Sequence, residues 1–227
     1  MNREIFSFHL ATVDPFFLTR ELLRSPKSTA VPGLLHAEPM LTMRLGSPIT
    51  SAARYGFTQL VYLARWQDEK ALTDFLQKDR RGMRLDKGWH VRLKFYRRWG
   101  FVSELDPLPE NSPNPNPEAP VVAITLARLK LSETLRFLRW GKPVEGLVRD
   151  HPGKTFALAA MRPLGTLSTF SIWKTEREMI QMVQGLSPVP GGGLHADAMV
   201  EQRKKSFHHE FTTMRFQLLG EFGKMPK

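Results

Sequence analysis

A proline-rich segment, DPLPENSPNPNPEAP, lies at residues 106–120, close to the middle of a chain of 227 residues. Its six prolines, together with the lack of any aromatic or β-branched residue, predict a stiff, exposed linker. Such a linker divides the chain into two halves of nearly equal length. An internal repeat is therefore the first fold hypothesis to test.

The two halves align at a tryptophan. Residues 65–72, RWQDEKAL, match residues 172–179, IWKTEREM, and the similarity continues from FLQ at 75–77 to MVQ at 182–184. In each half an alternating apolar stretch, which is typical of a strand, ends at the tryptophan, and a helical pattern follows it. The alignment therefore indicates two copies of one structural unit.

The same order of elements extends over both halves. Helices are predicted at 15–24 after an Asp14 cap, at 133–149 after a Ser132 cap, and directly after each tryptophan. Each half is therefore predicted to be a β-α-β-β-α-β, ferredoxin-like unit of the α+β class. The strand-like segments are 5–13, 34–45, 57–66 and 89–102 in the first half, and 121–129, 155–161, 167–173 and 207–219 in the second.

A ferredoxin-like sheet carries both helices on one face, so its other face must be covered. Two such sheets in one chain can cover each other. We therefore expect two tandem ferredoxin-like repeats packed sheet to sheet as a fused dimeric α/β barrel. The expected organisation is a first repeat at 1–105, the Pro-rich linker at 106–120, and a second repeat at 121–227. The second repeat includes a helical insertion at 185–207, and extra segments beside a barrel mouth often form sites.

The chain contains no cysteine. This excludes disulfides, thiolate zinc sites, iron–sulfur clusters and cysteine nucleophiles, which leaves histidine and carboxylate chemistry or binding alone. The N-terminal residues MNREIFSFHLATVDP carry charges and a proline where a signal peptide needs an unbroken apolar run. We therefore expect a cytoplasmic protein, with peripheral contact at a membrane left open.

A net charge of +11 and a sequence pI near 10.2 predict an anionic partner. Both halves are equally basic, so there is no basic arm of the kind that often binds nucleic acid. Neither half contains the aromatic signature of RNA-binding ferredoxin-like domains, which disfavours nucleic acid. A non-enzymatic basic ferredoxin-like module that binds nucleic acid or an anionic membrane surface remains the alternative function.

One region also resembles a known family. The region includes LSTFSIW at 167–173, GLHADA at 193–198 and RF at 215–216, together with Met179, Arg203, Phe207, Glu210 and LG at 219–220. These residues resemble the C-terminal half of the spheroidene monooxygenase family, and a looser resemblance covers 33–77. The resemblance implies a dimeric α/β barrel and a haem-containing monooxygenase of the kind that adds a keto group to an acyclic carotenoid.

Two departures separate the chain from that family. The family has a tryptophan, another aromatic residue and two acids where this chain has FHHEF at 207–211, and the PGGG insert at 190–193 is longer. The resemblance therefore predicts the fold but does not predict a carotenoid substrate. We expect a haem-dependent, monooxygenase-like oxidoreductase that acts on an apolar or amphiphilic small molecule, and a homo-oligomer remains open.

The resemblance implies haem b as the cofactor and His195 as its axial ligand, although a histidine at the start of a helix can also face solvent. The alternative ligands are His209, His208 and His90. Because His208 and His209 are adjacent on a strand, they point to opposite faces and cannot hold one metal together. Arg203 and Arg215 are expected to pair with the haem propionates, unless they belong to a solvated face. An apolar pocket, or alternatively a plain core, is expected around Phe170, Ile172, Phe207 and Phe216.

Overall fold

The computed structural model describes residues 3–24, 30–114, 116–163 and 165–226, so position 115 of the predicted linker lies outside it. Each half has the predicted order β-α-β-β-α-β, with an additional short helix after the second helix of each half. The strands are β1 (Ile5–Thr12), β2 (Leu34–Met43), β3 (Tyr55–Trp66), β4 (Trp89–Phe101), β5 (Val121–Leu129), β6 (Lys154–Arg162), β7 (Thr166–Trp173) and β8 (His208–Phe222). The helices are α1 (Pro15–Leu23), α2 (Glu69–Lys78), α3 (Arg80–Asp86), α4 (Thr134–Asp150), α5 (Glu176–Val183) and α6 (Leu194–Lys204).

The helix starts follow local capping chemistry. Asp14 accepts a hydrogen bond from the Phe17 backbone N–H at 2.8 Å, as its predicted role as N-cap of α1 requires. The sequence analysis did not predict α3, which begins after Asp79 as its N-cap. The prediction of Ser132 as the cap of α4 was wrong. Ser132 lies in a 3₁₀ turn at Leu131–Glu133, and α4 begins only after that turn.

All eight strands form one closed antiparallel barrel in the order β1-β3-β2-β6-β7-β5-β8-β4. Each repeat contributes four neighbouring strands, and the two sheets join along their edges. The β4–β8 junction is long and runs from the pair His90–Phe222 to the pair Phe101–Phe211. The β2–β6 junction has only three residue pairs. The predicted fused dimeric α/β barrel of two ferredoxin-like repeats is therefore confirmed.

Large apolar side chains fill the interior of the barrel. All eight strands contribute to one buried cluster, in which the rings of Phe8 and Phe170 stack with centroids 3.9 Å apart. Phe6 and Phe216 meet edge to face at 5.0 Å. Because rings from the two repeats interlock, the interior is a packed core that holds the repeats together.

A buried charged cluster closes one end of the barrel, where β2 and β6 no longer pair. Glu38 of β2 is fully buried and lies 2.7 Å from Nη2 of Arg128 and 2.9 Å from Nη2 of Arg162, so it joins the two repeats. Burial alone would raise the pKa of Glu38, but the hydrogen bond from His36 and the two guanidinium groups hold that pKa below its ordinary value.

The linker runs across the same end of the barrel. Residues 106–114 and 116–120 contain no helix or strand. Arg65 donates a hydrogen bond of 2.8 Å to the carbonyl of Leu105, and Leu108 packs against the barrel interior. The linker is therefore exposed along most of its length but is held to the barrel at its start and again at its middle, where the Ser112 backbone N–H donates to the carbonyl of Tyr96. No helix of the described residues is both long and apolar enough to cross a bilayer.

Candidate functional site

The outward face of the second sheet has a row of three threonines at its centre. Thr125 of β5 pairs in register with Thr169 of β7 on one side and with Thr213 of β8 on the other. The Thr125 and Thr169 hydroxyls are hydrogen-bonded at 2.6 Å. Thr169 is exposed and the other two are half-buried, although all three lie on the side of the sheet that faces the helices.

The equivalent row of the first repeat is filled by rings. There His9 of β1 pairs with Tyr62 of β3 and with His90 of β4. His9 and Tyr62 are completely buried and His90 is 3% exposed. The two repeats therefore share a backbone arrangement but differ in side-chain volume at the centre of the helix-covered face.

The helices do not compensate for this difference. Over its 17 residues α4 fully buries only Leu147, and no side chain of α6 is fully buried. By contrast, α1 buries three of its nine residues. The main contacts of α6 are with α4 and α5 rather than with strands. We infer that helices α4–α6 cover the threonine row less tightly than the equivalent row of the first repeat is covered, and we call the region between the row and these helices the outer recess.

His195 lies on the first turn of α6. Gly191, with φ of +75°, reverses the chain before this helix, as glycine does without steric strain. The Nδ1 atom of His195 lies 2.9 Å from the carbonyl oxygen of Val183 at the end of α5. Because a carbonyl oxygen can only accept, Nδ1 must carry the proton.

The same arrangement fixes the chemistry of the other ring nitrogen. Burial lowers the pKa of His195, and the hydrogen bond to Val183 offsets only part of this effect. The imidazole is therefore neutral at pH 7, with its lone pair on Nε2. This is the state in which histidine binds a metal, and in metal sites the other ring nitrogen commonly donates to a backbone carbonyl that fixes the orientation of the ring.

His208 and His209, the alternative ligands on β8, face opposite sides. His208 is 6% exposed and stacks on Phe211 with ring centroids 5.1 Å apart, whereas His209 is exposed. Neither ring nitrogen of His208 has a hydrogen-bond partner among the described residues, and burial lowers its pKa to about 4. His208 is thus a neutral imidazole beside Phe137 of α4, on the helix-covered side of the second sheet.

His90, the third alternative, lies on the outward face of the first repeat. Its ring is stacked between His9 and Phe222, at 4.9 Å from each. Burial lowers the pKa of His90 and lowers that of His9 even further. This stack is separated from His195 by the barrel.

The two predicted arginines have different environments. Arg203, near the end of α6, is exposed and forms no ion pair with any other described residue. Arg215 is buried, and its Nη1 atom lies 2.8 Å from Glu176, which also accepts hydrogen bonds from Tyr96 and Asn114. Arg215 therefore already has a carboxylate partner within the protein.

The four apolar residues predicted around a pocket do not lie together. Phe170, Ile172 and Phe216 belong to the packed barrel interior, on the opposite face of the sheet from the outer recess. Phe207 lies outside the barrel beneath Arg136, whose guanidinium is 4.1 Å from the ring centre. The predicted site residues that lie in the outer layer of the second repeat include His195, Arg203, Phe207, His208 and Arg215.

Sequence reasoning missed the threonine row and the buried Glu38 cluster. The threonines could have been found by aligning each strand of one repeat with its equivalent, which sets Thr125 against His9 and Thr169 against Tyr62. The signal for the cluster was a lone acid inside a mostly apolar strand. Within the described residues no group of three or more histidine or carboxylate side chains is arranged to hold a metal ion.

Comparison with known proteins finds two distant relatives, both spheroidene monooxygenases. The protein of Cereibacter sphaeroides is 26% identical over 140 residues, which cover 61% of this chain and 41% of that protein. The protein of Rhodobacter capsulatus is 30% identical over 126 residues, which cover 55% of this chain and 49% of that protein. The chain thus matches at most about half the length of these relatives. The resemblance noted in the sequence is confirmed, and no family model matches the chain.

The fold has counterparts among solved structures. An aldoxime dehydratase in complex with butyraldoxime superposes with a TM-score of 0.52 at 9% sequence identity, and the match covers 95% of this chain and 79% of that one. At this identity the similarity concerns the fold alone.

Proposed function

We propose that the protein is a haem-dependent, monooxygenase-like enzyme that acts on an apolar or amphiphilic small molecule. The observation that carries this proposal is the outer recess, which is bordered by α6, a helix that holds a neutral histidine with a fixed tautomer. The distant similarity to two spheroidene monooxygenases supports the reaction class. The low identity and partial coverage leave the substrate open.

The residues of the outer layer fit haem b. His195 would hold the iron through Nε2, because its Nδ1–H already donates to the carbonyl of Val183. The threonine row provides a flat floor of small side chains, and half-buried Phe211 and Leu167 lie beside it on the same face. Because these apolar side chains are not fully packed, a flat apolar ligand would gain their contact area.

The propionates need cationic partners at the edge of the recess. Arg203 lies eight residues after His195 on α6, about 12 Å along a helix axis, and its guanidinium is exposed. We therefore assign it a propionate. The prediction for Arg215 is weaker, since binding a propionate would require it to leave Glu176 and expose a buried carboxylate.

When bound, haem would supply oxygen activation, in which one atom of O₂ enters the substrate and the other leaves as water, with two electrons from an external reductant and two protons from solvent. The protein's part is to hold the group through His195, exclude water with the aromatic side chains of α4 and β8, and orient the substrate. His208 suits a polar contact to a ligand, because it is neutral and its ring nitrogens have no partner within the described residues.

The test is reconstitution of the purified protein with hemin. We expect a Soret band with saturable binding, and we expect His195→Ala to abolish the band or to convert it to that of a weakly bound form. His209→Ala is the matched control, because His209 is exposed and its loss should leave the spectrum unchanged. An unchanged Soret band in His195→Ala would refute the ligand assignment and make His208 the next candidate.

A further inference from the structure

One surface of the second repeat combines exposed leucines with an excess of positive charge. Leu135 is 85% exposed and Leu131 is 68% exposed, and Leu135 is the most exposed of the large apolar side chains in the described ranges. The two residues are four positions apart, and Arg139 continues the series at the same spacing. Residues four apart share one face of a helix, so Leu135 and Arg139 lie on one face of α4, and Leu131 lies in the 3₁₀ turn directly before that helix.

The end of α6 brings further basic side chains to this surface. The backbone N–H of Lys130 bonds to the carbonyl of Phe207, and Lys205 forms an ion pair with Glu133, so residues 204–207 lie directly beside the start of α4. We define the leucine–lysine patch as Leu131, Leu135, Lys130, Arg139, Lys204 and Lys205. Residues 130–139 and 201–205 together hold six basic and two acidic side chains, a net charge of +4.

We propose that the leucine–lysine patch docks the protein on the surface of an anionic lipid bilayer. The transfer of such exposed leucine side chains from water to the boundary between headgroups and acyl chains is favourable in free energy. The long lysine and arginine side chains around them reach back toward lipid phosphates. A partner with only negative charge, such as a nucleic acid, would leave the leucines in water, whereas an anionic bilayer contacts both components.

The opposite end of the barrel carries a natural comparison surface. Because β1 and β5 run antiparallel in the barrel, the first turn of α1 lies at the other end from the first turn of α4. Phe16 of α1 is 81% exposed. Residues 14–24 and the adjoining residues 79–87, whose arginines bond to the acids of α1, together hold six basic and four acidic side chains, a net charge of +2. Apolar exposure is thus similar at the two ends, and the leucine–lysine patch has the higher net charge.

The docking surface does not require bound haem, so its test is independent of the proposed function. The apo-protein is mixed with vesicles of phosphatidylcholine alone or with phosphatidylglycerol, and bound protein is separated by flotation. We expect binding to the anionic vesicles that weakens as salt rises, and little binding to the neutral ones. Each basic side chain near an anionic surface contributes a factor of about five in partitioning, so Arg139→Gln combined with Lys204→Gln should lower it by about 25-fold.

Variants of the apolar side chains separate this proposal from its rivals. Leu131→Asn combined with Leu135→Asn should lower binding to anionic vesicles by at least about tenfold, while Phe16→Asn should leave it unchanged. All these positions are exposed, and circular dichroism confirms that each variant is folded. Equal binding to neutral vesicles, or unchanged binding by the leucine variant, would overturn the proposal. So would a leucine variant that loses only self-association, because the surface would then be an interface between two copies.

Discussion

Replacing Thr169 with tyrosine tests the outer recess, because Tyr62 occupies the equivalent position of the first repeat. Thr169 is exposed although its side chain points toward the helices. A tyrosine ring at this position would extend from the sheet toward the helices, into the outer recess that we assign to haem. The substitution therefore reproduces in the second repeat a packing arrangement that the first repeat already has.

The expected effect on stability follows from whether the space is empty. If it is, the new ring covers apolar surface, and partial burial of an aromatic side chain should raise the free energy of unfolding by about 1–2 kcal/mol. If the helices already fill it, the ring overpacks the site, and the variant should lose about 1–3 kcal/mol. The sign of the change thus distinguishes an open recess from a closed one.

Two measurements on the same variant decide the question. Urea unfolding of the apo-protein gives the change in stability, and a hemin titration followed at the Soret band gives the affinity. We expect Thr169→Tyr to be at least as stable as the wild type and to bind hemin at least about 100-fold more weakly, a loss of about 2.7 kcal/mol. Thr169→Val keeps the shape, loses only the hydrogen bond to Thr125, and should change neither quantity by more than about 1 kcal/mol.

A folded Thr169→Tyr variant with unchanged hemin affinity would refute the recess as the haem site. A loss of stability would refute the recess itself. Both conclusions depend on the strand register. Thr169 pairs with Thr125 in the second repeat, as Tyr62 pairs with His9 in the first.

Two further predictions concern buried titratable groups. Burial lowers the pKa of His208 to about 4 from 6.5, so the unfolded chain takes up this proton first as the pH falls. The free energy of unfolding should therefore decline from pH 6.5 toward pH 4, by up to about 3 kcal/mol from this residue. In urea unfolding measured over this pH range, His208→Phe should make the decline shallower. An equally steep decline in the variant would contradict the assignment. Glu38→Gln removes the carboxylate between Arg128 and Arg162 and should lower the free energy of unfolding by about 3–5 kcal/mol at pH 7. Glu104 is the exposed partner of Arg128, so Glu104→Gln should lower it by less than about 1 kcal/mol in the same urea measurement. Equal losses in the two variants would mean that burial does not govern the cluster.

The sequence was sufficient for the fold because alternation and repetition are local signals. The strand that ends at Trp66 and the one that ends at Trp173 alternate visibly, and their alignment leads to a closed barrel. Capping was less predictable. Ser132 has the residue type of an N-cap, but the chain first makes a 3₁₀ turn, and hydrogen bonds over three or four residues compete closely at helix starts. Asp79 had the same signal and does cap α3.

The site was harder to predict, because one strand cannot show which of its faces is covered. An outward threonine on β7 looks like an ordinary solvent-facing residue, and an inward Phe170 looks like a pocket wall until the rings of the opposite repeat fill the barrel. The position of His195 was readable from the resemblance, but its tautomer depends on Val183, at the end of a different helix.

The duplication itself points to where a ligand can bind. The barrel interior needs both repeats and is filled by both, so neither can lose volume there without loosening the junction. The outward face of each repeat is covered only by its own helices and can change independently. Tyr62 and His9 fill that face in the first repeat. The equivalent residues of the second repeat, Thr169 and Thr125, are β-branched, as strands favour, but their side chains are much smaller. Since no side chain of α6 is fully buried and its main contacts are with α4 and α5, we infer that α6 does not fill this volume, and we propose that a ligand occupies it.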